Sequence, residues 1–398
     1  IGNICATETV TGSITVLPRQ AITLTSASNT ELQTICEQTS IATITYNLSK
    51  GATGATFSWD PSLDGTLGGI TFGLSGTSFT ISGTANANIT SSKTYGYIIT
   101  TNGNTCSSTT VTGTITVLPD DKITLNTANE TQSVCESTPI DDIVYTLSEG
   151  ATGYSFSWDN NSISAQVTFT LSGLTLTLSG TPTINLVTTT LYTYTVTTTG
   201  VGGCITQSVT GTISVIPDHK ITKRASDNDT QSVCEGVQIA PIRYDLAEGA
   251  TGFTKTWDDF SIDADIIFTQ VGQLLTITGT PTIDVVTSTV YTYGVTTIGL
   301  GNCEVKTVTG TITVLPDHNI TLNTANNTQS VCKNSPIIDV VYTLSEGATG
   351  YAFSWDNNGI STQVTFTLSG QTLTLAGTPT TNINTTTLYT YTVTTTGV

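Results

Sequence analysis

The stretch VTFTLSGLTLTLSGTPTINLVTTTLYTYTVTTTG, residues 167–200, decides the fold. Its first half alternates apolar residues with Thr or Ser and is interrupted once, at Ser172-Gly173, where a hairpin turn joins two strands. A period of two marks half-buried strands, because successive side chains point to opposite faces of a sheet. LYTYTVTTTG (191–200) alternates again, with Tyr192, Tyr194 and Val196 on one face. Further out, IVYTLSEG (143–150), YSFSWDN (154–160) and QSVTGTISVIP (207–217) read the same way, with a short strand around QSVC (132–135). Seven short strands with turns every 8–12 residues predict an all-β, immunoglobulin-like β-sandwich.

The same phrase is written four times. Trp59, Trp158, Trp257 and Trp355 stand 98 or 99 residues apart, and Pro18, Pro119, Pro217 and Pro316 close SITVLP, TITVLP, TISVIP and TITVLP. A period near 100 is too long for a solenoid turn and matches an autonomous small domain, so the expected fold class is a tandem array of sandwiches. The expected domains are 1–18, the last strand of a preceding repeat; 19–119, repeat 1; 120–217, repeat 2; 218–316, repeat 3; and 317–398, repeat 4, lacking its last strand. On this reading the chain is an excised piece of a longer array, and Val398 of one copy leads towards Ile1 of the next. One Trp per domain on an alternating strand reads as core, so all four are assigned a structural role. Repeats 2 and 4 differ at 16 of 83 aligned positions, whereas repeat 3 is more divergent and more charged. Lys220, Lys223, Arg224, Arg243, Asp258, Asp259, Asp263 and Asp265 there suggest either a binding face or drift, and drift is the expectation.

Composition narrows the function. Thr dominates, only 10% of residues are charged, and the formal net charge is −18 with 11 Lys and Arg, which excludes the basic face that nucleic acid requires. No stretch approaches 18 consecutive apolar residues, so no transmembrane helix is expected. No catalytic constellation recurs: both His lie in Pro-Asp-His linkers, and Asp60, Asp159, Asp258 and Asp356, each following a Trp, read as turn residues. The chain is not expected to be an enzyme.

The eight Cys occupy two places in the repeat: Cys36, Cys135, Cys234 and Cys332 near its start, and Cys5, Cys106, Cys204 and Cys303 before its last strand. No spacing suits zinc, so disulfides in an oxidising, extracellular compartment are expected. A final strand of twelve or so residues spans roughly 40 Å at about 3.3 Å per residue. Cys106 then lies a whole domain length from Cys135. Intradomain pairs follow: Cys36–Cys106, Cys135–Cys204 and Cys234–Cys303. Cys5 and Cys332 are left with partners outside this segment. If a strand like residues 6–17 of another copy, or of a continuing chain, closes the fourth repeat beside residues 388–396, its Cys5 is expected to meet Cys332.

ISGTAN (81–86), LSGTPT (178–183), ITGTPT (277–282) and LAGTPT (375–380), each followed by a Tyr-rich strand, resemble the turn-and-strand hallmark of immunoglobulin-like and cadherin-like repeats. The whole phrase, with VCxxxPI early and GTITVLP late, is similar to PKD-like repeats of giant surface adhesins of Bacteroidota, including those of gliding motility. The resemblance implies a stalk or filament segment of a secreted cell-surface adhesin that projects a distal binding region. Its partners would be neighbouring repeats or identical subunits. Repeats that themselves bind glycan or protein, and the spacer of a secreted enzyme, are the alternatives. Cadherin-like repeats that hold calcium place acidic runs at domain junctions, and this chain departs from that pattern. Asp227-Asn228-Asp229 occurs once, and each linker offers one or two carboxylates where calcium takes six to eight oxygens. No cofactor is expected beyond a weak calcium site at the linkers.

Overall fold

The computed structural model describes residue 2 and residues 4–397. Ile1 and Val398, at which one copy was expected to lead into the next, lie outside the described residues. The first repeat comprises β1 (Ala21–Leu24), β2 (Leu32–Cys36), β3 (Ile44–Ser49), β4 (Ala52–Trp59), β5 (Ile70–Ser75), β6 (Ser78–Gly83), β7 (Lys93–Gly103) and β8 (Thr110–Leu118). The second has β9 (Asp121–Leu125), β10 (Thr131–Cys135), β11 (Ile143–Glu149), β12 (Ala151–Trp158), β13 (Val167–Ser172), β14 (Thr175–Gly180), β15 (Thr190–Gly200) and β16 (Ser208–Ile216). The third has β17 (His219–Lys223), β18 (Thr230–Cys234), β19 (Ile242–Glu248), β20 (Ala250–Trp257), β21 (Ile266–Val271), β22 (Leu274–Gly279), β23 (Thr289–Gly299) and β24 (Thr307–Leu315). The fourth has β25 (His318–Leu322), β26 (Val340–Glu346), β27 (Ala348–Trp355), β28 (Val364–Ser369), β29 (Thr372–Gly377) and β30 (Tyr391–Gly397).

Each of the first three repeats is therefore a pair of four-stranded sheets, ordered β1-β3-β6-β5 and β2-β8-β7-β4 in the first. Eight strands replace the expected seven. The additional one follows each Pro linker directly, as in β9, which pairs antiparallel with β11. Five residues reading DKITL carry too little alternation to announce a strand. The sheet supplies the missing pattern, by burying Asp121 and Ile123. The chain forms two compact units: residues up to Ile184 with Thr190–Val215, and Asn185–Thr189 with the residues from Ile216 onward.

A tyrosine pair ties the two sheets of every repeat together. The hydroxyls of Tyr46 and Tyr97 are 3.1 Å apart, those of Tyr145 and Tyr194 2.8 Å, Tyr244 and Tyr293 3.0 Å, and Tyr342 and Tyr391 2.8 Å. Burial pushes the Tyr97, Tyr194 and Tyr293 hydroxyls well above their ordinary pKa, so they stay neutral donors. In the first three repeats the glycine of the TVTG or SVTG phrase makes room for that hydroxyl. A Cβ on Gly211 would stand 2.1 Å from the Tyr194 hydroxyl and 2.5 Å from the Glu130 carbonyl, and Gly113 and Gly310 are placed alike. Trp158 and Trp257 are buried, while Trp59 and Trp355 are half-buried against their cores. The Trp158 ring meets Tyr194 edge-on, with centroids 5.5 Å apart.

Candidate functional site at the repeat junction

The junction between the first two repeats is built by one unexpected pairing. β2 runs parallel to β8, with Cys36 opposite Leu118. Cys36 therefore sits at the pole where the chain leaves the first repeat, beside Pro119-Asp120. Beyond the linker, the Asp121 amide donates to the Ile205 carbonyl at 2.9 Å, and the Ile205 amide donates to Asp120 Oδ1 at 3.1 Å. Gly202 and Gly203, at φ of +81° and +68°, turn the preceding loop so that Cys204 faces the junction. Cys36 and Cys204 form a disulfide of 2.05 Å that bridges the two repeats and closes 168 residues. Glu37 reinforces the seam: one carboxylate oxygen accepts from Ile89 N in its own repeat at 2.9 Å, the other from Asp120 N in the linker at 3.3 Å.

This geometry corrects the cysteine pairing. Cys36 bonds Cys204 and not Cys106, so Cys135–Cys204 is excluded as well. Cys106 and Cys234 are free thiols, which excludes Cys234–Cys303. The domain-length argument for the final strand holds, but it was applied to the wrong pole. A parallel entry strand carries its cysteine away from the turn before the last strand and delivers it to the next repeat. Cys135 and Cys303 are disulfide-bonded too. Cys5 and Cys332 carry free thiols.

The fourth repeat lacks half of one sheet. β25-β26-β29-β28 is complete, whereas β27 pairs with β30 alone. TQSVC is a strand at 131–135 and again at 230–234, yet the same five residues at 328–332 form none. The final strand starts at Tyr391, where the sequence placed it from 388. A groove of about 330 Å³ opens instead, lined by Val331, Ile337, Trp355, Leu375, Tyr389 and Tyr391. Residues 4–20, by contrast, form no strand, and Ile4, Val10, Ile14 and Val16 are almost wholly exposed.

The charged face suggested for the third repeat resolves largely into internal ion pairs. Lys220 bonds Glu248, Lys223 bonds Asp229, and Lys255 bonds Asp263. Arg224 grips Asp245 through two nitrogens, and Arg243 does the same to Asp227. Both carboxylates of Asp227-Asn228-Asp229 thus already hold a cation. Arg243 is the main cause that holds the Asp227 carboxyl at about 2. Among the described residues no group of three or more His, Cys, Asp or Glu side chains converges as a metal site would require. The aspartates after each Trp pin backbone: Asp159, Asp258 and Asp356 accept from the amides of Thr193, Thr292 and Thr390 at 2.8, 2.8 and 2.9 Å. In the first repeat Asp64 takes that part with Thr94, and Asp60 instead accepts from Ser62. The junction carboxylates Asp120 and Asp218 serve loops, accepting from Ile205 and Glu304 amides.

No protein-family model matches the chain, and no curated protein matches it. Solved structures do. The three immunoglobulin domains I67–I69 of titin, in an E-to-A mutated variant, match with a TM-score of 0.52 at 11% identity over 75% of this chain and 99% of that one. A titin I-band fragment I67–I69 matches at 0.50 and 12%, over 76% and 99%. The extracellular domain of protocadherin gammaB4 covers 96% of this chain and 67% of its own at 12% identity, with a TM-score of 0.42. At such identities the likeness concerns fold. The chain is all-β, a tandem array of immunoglobulin-like β-sandwiches. No helix among the described residues is long and apolar enough to cross a membrane.

Proposed function

We propose that this chain is a segment of an extracellular stalk, belonging to a large surface adhesin of the kind its repeats resemble, with repeats at 19–119, 120–217, 218–316 and from 317 onward. Its work on this reading is mechanical: it holds a distal binding region away from a surface and carries the load. The observation that supports it is the Cys36–Cys204 bond. A linker of two residues allows neighbouring sandwiches to hinge, and a second covalent connection across the same seam restricts that hinge. Such a bond persists only in an oxidising compartment. Internal pairing of the charges in the third repeat favours the mechanical role over a polar binding face.

Protease shaving of intact source cells tests the reading. Peptides from residues 21–397 should be released from the surface, with Cys36 and Cys204 recovered as one disulfide-linked peptide. Recovery of the chain only after lysis, with both thiols reduced, would overturn it.

A further inference from the structure

We propose that Glu37 and Asp120 form an electrostatic guard on the Cys36–Cys204 bond, which resists reduction by anionic thiols and opens to thiols that carry a positive charge. Both carboxylates are fixed beside the cysteines by the elements that make the bond. Glu37 follows Cys36 directly at the end of β2, and it is buried, with its two oxygens accepting from the amides of Ile89 and Asp120. Asp120 accepts through Oδ1 from the amide of Ile205, the residue after Cys204. One carboxylate thus flanks each cysteine, and the bond from the Asp120 amide to Glu37 draws the two residues together. The lysines on the strand ends that meet here do not neutralise them. Lys93, opposite Val117 in β7, is held by Asp64 at 3.0 Å, and Lys122, two residues beyond Asp120, by Glu149 at 2.9 Å. The formal net charge of −18 adds to the field at low salt. Cys36 and Cys204 are each half-buried, so small thiols in solution reach them.

Reduction proceeds through a thiolate, whose charge has to enter the site. A reductant thiolate attacks Sγ of one cysteine, the S–S bond breaks, and its electron pair leaves on the other cysteine as a thiolate. A mixed disulfide remains, and a second reductant thiolate attacks it to release the first cysteine. In balance, two reductant thiols become one disulfide, and the Cys36–Cys204 bond takes up their two electrons and two protons. During the first attack negative charge is spread over three sulfurs, in a place where Glu37 and Asp120 already stand. Like charges repel there, so each further negative charge on the reagent slows the attack and a positive charge offsets it. A thiol that carries an ammonium brings its thiolate in with no net charge, whereas one that carries a carboxylate brings in two negative charges.

The inference deepens the stalk reading, on which it rests for the setting in which the bond meets reductants. The test uses the 398-residue chain with its free thiols alkylated beforehand. Opening of Cys36–Cys204 is followed by peptide mapping in 3-mercaptopropionate, which is anionic, in 2-mercaptoethanol, which is uncharged, and in cysteamine, which is cationic. Rates are referred to thiolate concentration. Raising the ionic strength from about 0.01 M to about 1 M should speed opening by 3-mercaptopropionate about fivefold, by 2-mercaptoethanol about twofold, and by cysteamine hardly at all. Glu37→Gln combined with Asp120→Asn keeps an acceptor oxygen at each position. It should reproduce that graded order at low salt and shrink the salt effect. Equal acceleration of all three thiols by the substitutions would show only a loosened junction and overturn the proposal. Salt-independent rates in the unsubstituted chain would overturn it without any variant. A salt effect that the substitutions leave untouched would assign the field to the chain at large and overturn it as well. A bond that opens to all three thiols alike, in a chain shed from cell surfaces, defeats the guard alone. A guarded bond in a chain recovered only after lysis defeats the stalk reading alone.

Discussion

At the scale of single residues, the tyrosine hydroxyl and the glycine facing it form the tightest fit in each repeat. Gly211→Ala drives a methyl group against the Tyr194 hydroxyl and the Glu130 carbonyl, and neither can retreat without breaking a sheet-to-sheet or strand-to-strand bond. Overpacking of this kind costs about 1–3 kcal/mol. In a calorimetric scan of the whole chain, one transition should therefore move down by several degrees while the others stay. Asp227 gives a second residue-scale test. Arg243 keeps its native pKa near 2, below the unfolded value of about 3.9. A depressed native pKa means stability that is complete above about pH 4 and lost as pH falls towards 2. The melting-temperature gap between wild type and Asp227→Asn should hold steady from pH 7 to 5 and then shrink towards pH 2. A gap independent of pH would show that the ion pair makes no such contribution. The glycine was visible in the sequence as part of a repeated phrase, but its reason was not. A gap for a hydroxyl 17 residues away on the neighbouring strand leaves no local mark.

At the scale of strands, TQSVC shows that propensity alone does not make this element. The same five residues pair with β16 and β24 as strands and stand unpaired at 328–332. A strand of five residues has too few side-chain contacts to hold its backbone; the ladder from its neighbour supplies the rest. Amide exchange should show this directly: Val233 slow and Val331 fast. Equal exchange at the two positions would refute it. The same reasoning explains what could be read from the chain beforehand. Long alternating strands such as β7, β15 and β23 carry their own pattern and were legible, as was the hairpin at Gly173, where Ser172 pairs with Thr175. β9 was not, because DKITL becomes a strand only by adding to the edge of β11. The direction of β2 was not legible either, since a short strand reads alike parallel or antiparallel. The cysteine pairing failed with it.

At the scale of the molecule, the Cys36–Cys204 bond changes what happens under load. Chain-entropy reasoning assigns closure of so long a loop about 5 kcal/mol, shared between the two repeats that contribute to it. Its mechanical effect is more direct. With the bond intact, force entering at residue 36 has a direct route to residue 204 through sulfur, and the 167 residues between them cannot lengthen the distance between those two points. Unfolding either sandwich then releases almost no length. Reduction returns that stretch to the load path, adding roughly 550–600 Å of contour at about 3.3–3.6 Å per residue. Pulling a single chain by its two ends should thus give a short total extension when oxidised. With reductant, which also opens the bonds of Cys135 and Cys303, the same chain should show additional steps as the sequestered repeats come under load. Equal total extension in the oxidised and reduced chains would mean that the crosslinks lie off the load path. A stapled junction also lets a sandwich unfold and refold without its neighbours separating, which is the property the proposed stalk role requires.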